Sequence, residues 1–160
     1  MISVKHLCKS FGQFDAVKDL TFDVKPGDIV GFLGPNGAGK STTMKMLTGF
    51  ITPTSGQIEI NGLPLASNAK RIQSQIGYLP EGAPAYGDMT VYQFLYFIAN
   101  VRKLSGSKRK ERLAKVIEQT ELYDVLDKPI DLLSKGFKRR VGLAQAIIHD
   151  PQILILDEPT

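Results

Sequence analysis

The chain has 160 residues, with 20 Lys and Arg against 16 Asp and Glu, and a formal net charge of +4. Domains run to roughly 100–200 residues, so this length allows one domain or a piece of a larger one, and 42% hydrophobic residues exclude a disordered or low-complexity chain. The longest apolar runs, such as Ile153 to Leu156, are far too short to cross a bilayer, and Met1 to Lys5 open no signal peptide.

Leu20-Thr21-Phe22-Asp23-Val24-Lys25 alternates apolar and polar residues, which predicts a half-buried strand. After the Pro26-Gly27-Asp28 turn, Ile29 to Leu33 is short and apolar without alternation, the pattern of a strand covered on both faces. A glycine-rich bend follows, and Lys40 to Leu47 has helix-forming character as far as Gly49. Gln57 to Ile60 alternates again before Asn61-Gly62, a strong hairpin turn. Ile76 to Leu79 reads as another buried strand, ended by Pro80.

Helical patterns then take over. Thr90 is placed to cap a helix with Val91, Phe94, Leu95 and Ile98 on one face. Ser107 is read as the cap of a second helix, with Leu113, Val116 and Ile117 inward. A third should start near Ser134 and turn Val141, Ala144, Ile147 and Ile148 inward. Pro151 closes that region, and Ile153 to Leu156 is predicted to be a fully buried strand. The positive charges gather in two places. Arg102, Lys103, Lys108, Arg109, Lys110, Arg112 and Lys115 read as a solvated helical face, and Lys135, Lys138, Arg139 and Arg140 form a second cluster. A lone Cys8 has no partner for an intramolecular disulfide, which points to a reducing, intracellular compartment.

The chemistry is concentrated in a few short segments. Gly34-Pro35-Asn36-Gly37-Ala38-Gly39-Lys40-Ser41 matches the phosphate-loop pattern at every position, between an apolar run and a helix. Glycines let the loop wrap phosphate oxygens with backbone N–H groups, and the helix N-terminus adds its positive dipole end. Lys40 would set a point charge against the β- and γ-phosphates, and the Ser41 hydroxyl would ligate Mg²⁺. Ile153 to Leu156 then ends in two carboxylates, Asp157 and Glu158. Ligands of open α/β sheets bind beyond the carboxyl ends of strands. Asp157 could therefore hold Mg²⁺ through water, and Glu158 could orient or deprotonate an attacking water.

Together, GPNGAGKST at Gly34 to Thr42, LSKGF at Leu133 to Phe137 and LILDEPT at Leu154 to Thr160 resemble the nucleotide-binding subunit of an ABC transporter. The resemblance implies an α/β P-loop NTPase core with an antiparallel β subdomain and an inserted helical subdomain. It divides the chain into a β-rich ATP-binding core over residues 1–80, a helical subdomain with the signature motif over 81–150, and the Walker B strand over 151–160. It also implies ATP and Mg²⁺ as ligands, with Pro35, Asn36, Gly37, Ala38, Gly39 and Thr42 completing the cradle begun by Gly34, Lys40 and Ser41.

Further roles follow from the same resemblance. The signature departs from the family's commonest form, L-S-G-G-Q, at Lys135 and Phe137 but keeps Ser134 and Gly136. Those two would bind the γ-phosphate held by the opposite subunit of a head-to-tail dimer. Phe11, 23 residues before Gly34, stands where the family stacks an aromatic ring on adenine. Glu81 stands where the family normally has Gln near Mg²⁺ and the attacking water, at the start of a loop, Gly82 to Met89, suited to contact with a membrane subunit. The family's aspartate loop and switch histidine would come after Thr160, and neither His6 nor His149 is placed to substitute. The sequence is therefore expected to be the N-terminal part of a longer subunit, with the rest of the core missing.

The implied function is ATP binding and hydrolysis that powers transport through a separate transmembrane permease, in the manner of an exporter of drugs, lipids or antibiotics. The subunit would lie in the cytoplasm, peripheral on the inner face of the membrane, with no nucleic acid as partner. Two alternatives stay open. A soluble ABC-type ATPase acting on ribosomes or DNA would normally carry tandem cassettes or a long coiled-coil insertion, where this helical region is short. A truncated, non-hydrolysing nucleotide-binding module is the other.

Overall fold

The computed structural model describes residues 1–82 and 86–157, and the chain divides into two compact units, residues 1–73 and 74–160. The first unit is built on a four-stranded antiparallel sheet in the order β2-β1-β3-β4. Its strands are β1 (Ile2–Phe11), β2 (Phe14–Val24), β3 (Ser55–Ile60) and β4 (Leu63–Pro64), with helices α1 (Lys40–Leu47) and α2 (Leu65–Gln73). Val4, Leu7, Ile60 and Ile72 are fully buried together with Met46 of α1. The Asn61-Gly62 hairpin forms as expected, both residues at positive φ.

Central strand β1 escapes a period-two reading because it is bulged. His6 and Asp19 face each other across the β1–β2 pair at φ 51° and 44°, joined by a 2.7 Å contact from imidazole Nδ1 to carboxylate. The register shifts between Val4 and Leu7, so these buried residues stand three apart rather than two or four. The predicted strand over Ile29 to Leu33, in contrast, is not formed. Ile29 and Leu33 are fully exposed, and Phe32 packs edge-on against Phe22 with ring centroids 5.2 Å apart. A strand of that kind needs neighbours to accept its ladder and cover both faces, and none of the described strands pairs with it.

The second unit combines a parallel pair, β5 (Ile76–Leu79) and β6 (Ile153–Leu156), with three helices: α3 (Val91–Val101), α4 (Gly106–Gln119) and α5 (Lys135–Ile147). Thr90 caps α3 in a capping box with Gln93, which ties two otherwise orphaned N–H groups. Val91, Phe94, Leu95, Leu113, Val116, Val141, Ala144 and Ile148 form one apolar core, as the helical periodicity predicts. The start of α4 differs from expectation: Ser105, extended at φ −135°, is the cap, and Ser107 is already helical. Strand β6 is also less covered than predicted. Leu154 is exposed and Ile155 buried, because β6 is partnered among the described residues by β5 alone.

Lys103, Lys108, Lys110 and Lys115 are exposed, as a solvated face requires, but Arg112 departs from that reading of the cluster. It is buried, with its Nε donating to the Ile148 carbonyl at 3.0 Å and Nη2 to that of Ile147 at 2.7 Å, while Nη1 pairs with Asp150 at 3.0 Å. These carbonyls lie at the end of α5, where helical donors run out; that of Ile147 also accepts the Asp150 N–H at 3.0 Å, and the guanidinium adds a side-chain cap to both. Beside it, His149 donates from Nε2 to the Ile76 carbonyl at 3.1 Å, and its buried Nδ1 has no partner among the described residues.

Burial, reinforced by the charges of Arg102 and Arg112, lowers the His149 pKa to about 4, against the opposing pull of the Ile76 bond and Asp150. The folded state therefore keeps His149 neutral where the unfolded chain, with an ordinary value near 6.5, already binds a proton. Its contribution to stability is complete above about pH 6.5 and declines as the pH falls toward 4. Chemical denaturation across that window should show stability falling with acid, with a shallower slope in His149→Gln; equal slopes would contradict a neutral buried imidazole.

Candidate functional site

In the first unit the glycine loop leads into α1 as the sequence predicts, with Lys40 as the first helical residue. The entry is made by Gly39, whose φ of +84° is left-handed. Space forbids a side chain there as firmly as conformation does: an added Cβ would stand 2.3 Å from the Ala16 carbonyl oxygen and 3.0 Å from a Val17 methyl. The loop therefore lies directly on β2. Behind it, Thr43 binds the Gly39 carbonyl through both its N–H and its hydroxyl, at 2.8 and 2.9 Å, which anchors the first turn.

The Lys40 ammonium folds back onto the loop, donating to the carbonyls of Gly34 at 2.8 Å and Pro35 at 2.9 Å. One cation thus ties the beginning of the loop to its end. The first turn of α1 contains no acidic residue to oppose an anion. A left-handed glycine entry, a helix N-terminus and a lysine at the loop's rim fit a polyphosphate chain.

Phe11 sits where the same β1–β2 hairpin turns, opposite Phe14. It is about half exposed, and the Lys9 ammonium stands 5.0 Å from its ring centroid. Lys9 is itself fixed by a 2.8 Å bond to the Thr52 carbonyl. The hairpin that carries Phe11 is therefore the one on which Gly39 rests at Ala16.

The second unit holds the remaining candidates. Leu79 and Leu156 are parallel neighbours, and the Asp157 N–H donates to the Leu79 carbonyl at 2.9 Å. The carboxyl ends of β5 and β6 thus bring Asp157 beside the segment that leads to Glu81. Asp157 is buried and Glu81 exposed. Tyr78, which the sequence reading passed over, belongs to the same corner. Its hydroxyl pKa is raised by burial and by the negative charge of Asp157. An aromatic residue on a short apolar strand carries no sequence signal of such a neighbour. Asp157 and Glu81 offer hard carboxylate oxygens of the kind Mg²⁺ takes, although among the described residues no group of three or more His, Cys, Asp or Glu is placed to hold a metal ion. Glu158 lies outside the described residues, as do Ala83, Pro84 and Ala85 of the predicted contact loop.

Ser134 caps α5, accepting a 3.4 Å bond from the Phe137 N–H, and Gly136 leaves the first turn open, with only the Ser134 hydroxyl 4.0 Å from an added Cβ. The two departures from the commonest signature have structural consequences. Lys135 is exposed, whereas Phe137 packs against the apolar core and under the Arg140 guanidinium, 5.4 Å from its ring centroid. Arg140 in turn pairs with Glu121 at 2.7 Å.

A family model described as ABC transporter matches residues 17–160. The chain belongs to this family. It is 42% identical over all 160 residues to the probable multidrug ABC transporter ATP-binding protein YbhF of Escherichia coli (strain K12), of which it covers 28%. It is likewise 42% identical to the bacitracin transport ATP-binding protein BcrA of Bacillus licheniformis, covering 51% of it. A Nod factor export ATP-binding protein I of Burkholderia orbicola (strain AU 1054) is 37% identical over 99% of the chain, and 52% of that protein is covered. The chain thus spans between about a quarter and about half of these relatives.

Among solved structures, an ATP-binding subunit of an ABC transporter superposes with a TM-score of 0.89 at 33% identity, covering 99% of this chain and 66% of that one. The dimeric bacterial ABC transporter cassette MJ0796 gives 0.90 at 25% identity, covering all of this chain and 75% of its own. The fold is that of an ABC ATPase cassette, mixed α/β with an antiparallel sheet and a helical region.

Gly39→Ala tests the cradle directly. A left-handed alanine costs about 1–2 kcal/mol before its clash with Ala16 is counted. Nucleotide affinity should fall about tenfold or more in a fluorescent-nucleotide titration; affinity within twofold of the parent would show that the loop does not rest on β2 as described.

Proposed function

We propose that this chain is the nucleotide-binding part of an ATP-driven exporter, acting on a separate membrane permease. The observation that carries the reading is the glycine loop with Lys40 closing it at the start of α1, because that arrangement suits a polyphosphate and little else. Gly34 to Thr42 would hold the phosphates of ATP, and Phe11 would stack on adenine. Mg²⁺ would be held by Ser41, Asp157 and Glu81, and when bound it would neutralise charge on the phosphate oxygens. The names of the relatives, multidrug, bacitracin and Nod factor transport, support an export role.

Hydrolysis is assigned to carboxylates. Glu158 would accept a proton from the attacking water, and Glu81 would orient that water in the place of the family's usual Gln. Ser134 and Gly136, with the N-terminus of α5, would take the γ-phosphate bound by an opposed copy, so that ATP binding closes two cassettes head to tail. No described helix is long and apolar enough to cross a membrane. The subunit would lie on the cytoplasmic face and act through a channel supplied by its partner.

Glu158→Gln in the intact protein should keep ATP binding while turnover falls by a hundredfold or more, about 2.7 kcal/mol on the barrier, and an ATP-bound dimer should accumulate in size-exclusion chromatography. Turnover at the parent rate would place the catalytic base elsewhere.

A further inference from the structure

The segment from Ile147 to Pro151 joins three elements that each lead to a different site motif. Helix α5 ends there, having begun just after its cap Ser134; β6 follows and leads to Asp157; and β5, which leads to Glu81, packs against α5. The contacts are close. A Cβ on Gly77 of β5 would stand 2.3 Å from the Ala146 carbonyl oxygen and 2.8 Å from Pro151, so only glycine lets strand and helix meet. The N–H groups of Gln152 and Ile153 both donate to the Gln75 carbonyl, at 3.0 and 3.2 Å. His149 adds its bond to the Ile76 carbonyl.

Arg112 of α4 is a side chain from another helix that bonds to this junction. Its guanidinium spends Nε and Nη2 on two carbonyls and Nη1 on Asp150, within an environment that leaves it 5% exposed. Removing a buried charge's partners is costly, so the arginine and the end of α5 hold one another in a single geometry. A lysine carries the charge but not the planar fork that reaches two carbonyls and a carboxylate together. A helix of 13 residues is about 20 Å long and moves as a rigid unit, so a tilt at its end also moves Ser134 at its start.

We propose that Arg112 is a positioning residue. By bolting α4 to the junction of α5, β5 and β6, it sets where Asp157 and the residues after Leu79 stand relative to the signature end of α5. The consequence for turnover rests on the ATPase reading above. Its bonds to Ile147, Ile148 and Asp150 lie within the second unit, and the effect proposed is on turnover rather than on nucleotide capture.

The test compares Arg112→Met, Arg112→Lys and Asp150→Asn in the intact protein. ATP dissociation constants, steady-state kcat and amide hydrogen exchange are measured for each. Arg112→Met should lower kcat tenfold or more, with the dissociation constant within twofold, and should speed exchange at the Asp157 amide tenfold or more while β1 amides hold. Arg112→Lys should recover part of both losses, and Asp150→Asn, which keeps both carbonyl bonds, should stay within twofold of the parent.

Parental kcat and exchange in Arg112→Met would overturn the proposal, as would a loss of nucleotide binding equal to the loss of kcat. If Arg112→Met does not fold, Arg112→Lys decides by the same readouts. A parent protein that binds ATP without turning it over would remove the ATPase reading alone, and exchange at Asp157 would still decide the positioning role.

Discussion

A loop that grips phosphate with backbone N–H groups can spend few of them on holding itself together, here the Ala38 N–H on the Pro35 carbonyl at 3.2 Å, so much of its shape must be imposed from outside. Here the constraint is the contact of Gly39 with the Ala16 carbonyl of β2, which leaves no volume for a side chain and fixes where α1 begins. The rest follows from it. Lys40 becomes the first helical residue, Thr43 falls where its hydroxyl and N–H both reach the Gly39 carbonyl, and the lysine ammonium lands on the loop's first two carbonyls. The antiparallel sheet therefore serves as the bed on which the cradle is formed.

The second unit solves a different problem with different means. Its carboxylates must stand at the ends of two short strands that bury little surface of their own. Strand β6 leaves Leu154 exposed, and hydrogen bonds from the Asp157 N–H to the Leu79 carbonyl and from the Gln152 N–H to the Gln75 carbonyl, just before β5, mark the two ends of the pair. What steadies the pair is the helical core, transmitted through the close seat of Gly77 under Ala146 and through the buried Arg112. Burying an arginine among carbonyls, and a neutral histidine between two arginines, makes geometry rather than bulk apolar packing the restraint at that corner.

Most of the site was legible because its signals are local. The phosphate loop is read from eight consecutive residues, and the helix after it runs from Lys40 to Leu47 as expected. Thr90 and Ser134 cap the helices they were assigned, since capping depends on residues only three positions apart. Apart from the cap of α4, which is Ser105 rather than Ser107, the failures are non-local. Ile29 to Leu33 looks like a buried strand, but burial is supplied by neighbours, and the described strands do not pair with it. Strand β1 hides behind bulges at His6 and Asp19 that break its alternation. Arg112 sits amid lysines in the sequence, and nothing local says that its partners lie 35 and 36 residues later, at the end of α5.

The central claim is that the loop from Gly34 to Ser41 captures the phosphates of ATP through its backbone and Lys40. Calorimetric titration of the intact protein with Mg-ATP, beside Lys40→Ala, tests it most directly. The account predicts micromolar binding in the parent and a loss of about a hundredfold or more, roughly 2.7 kcal/mol, in the variant, with the thermal unfolding profile preserved. Equal affinity in the two proteins would contradict it, because the lysine that closes the loop would then have no part in holding the ligand.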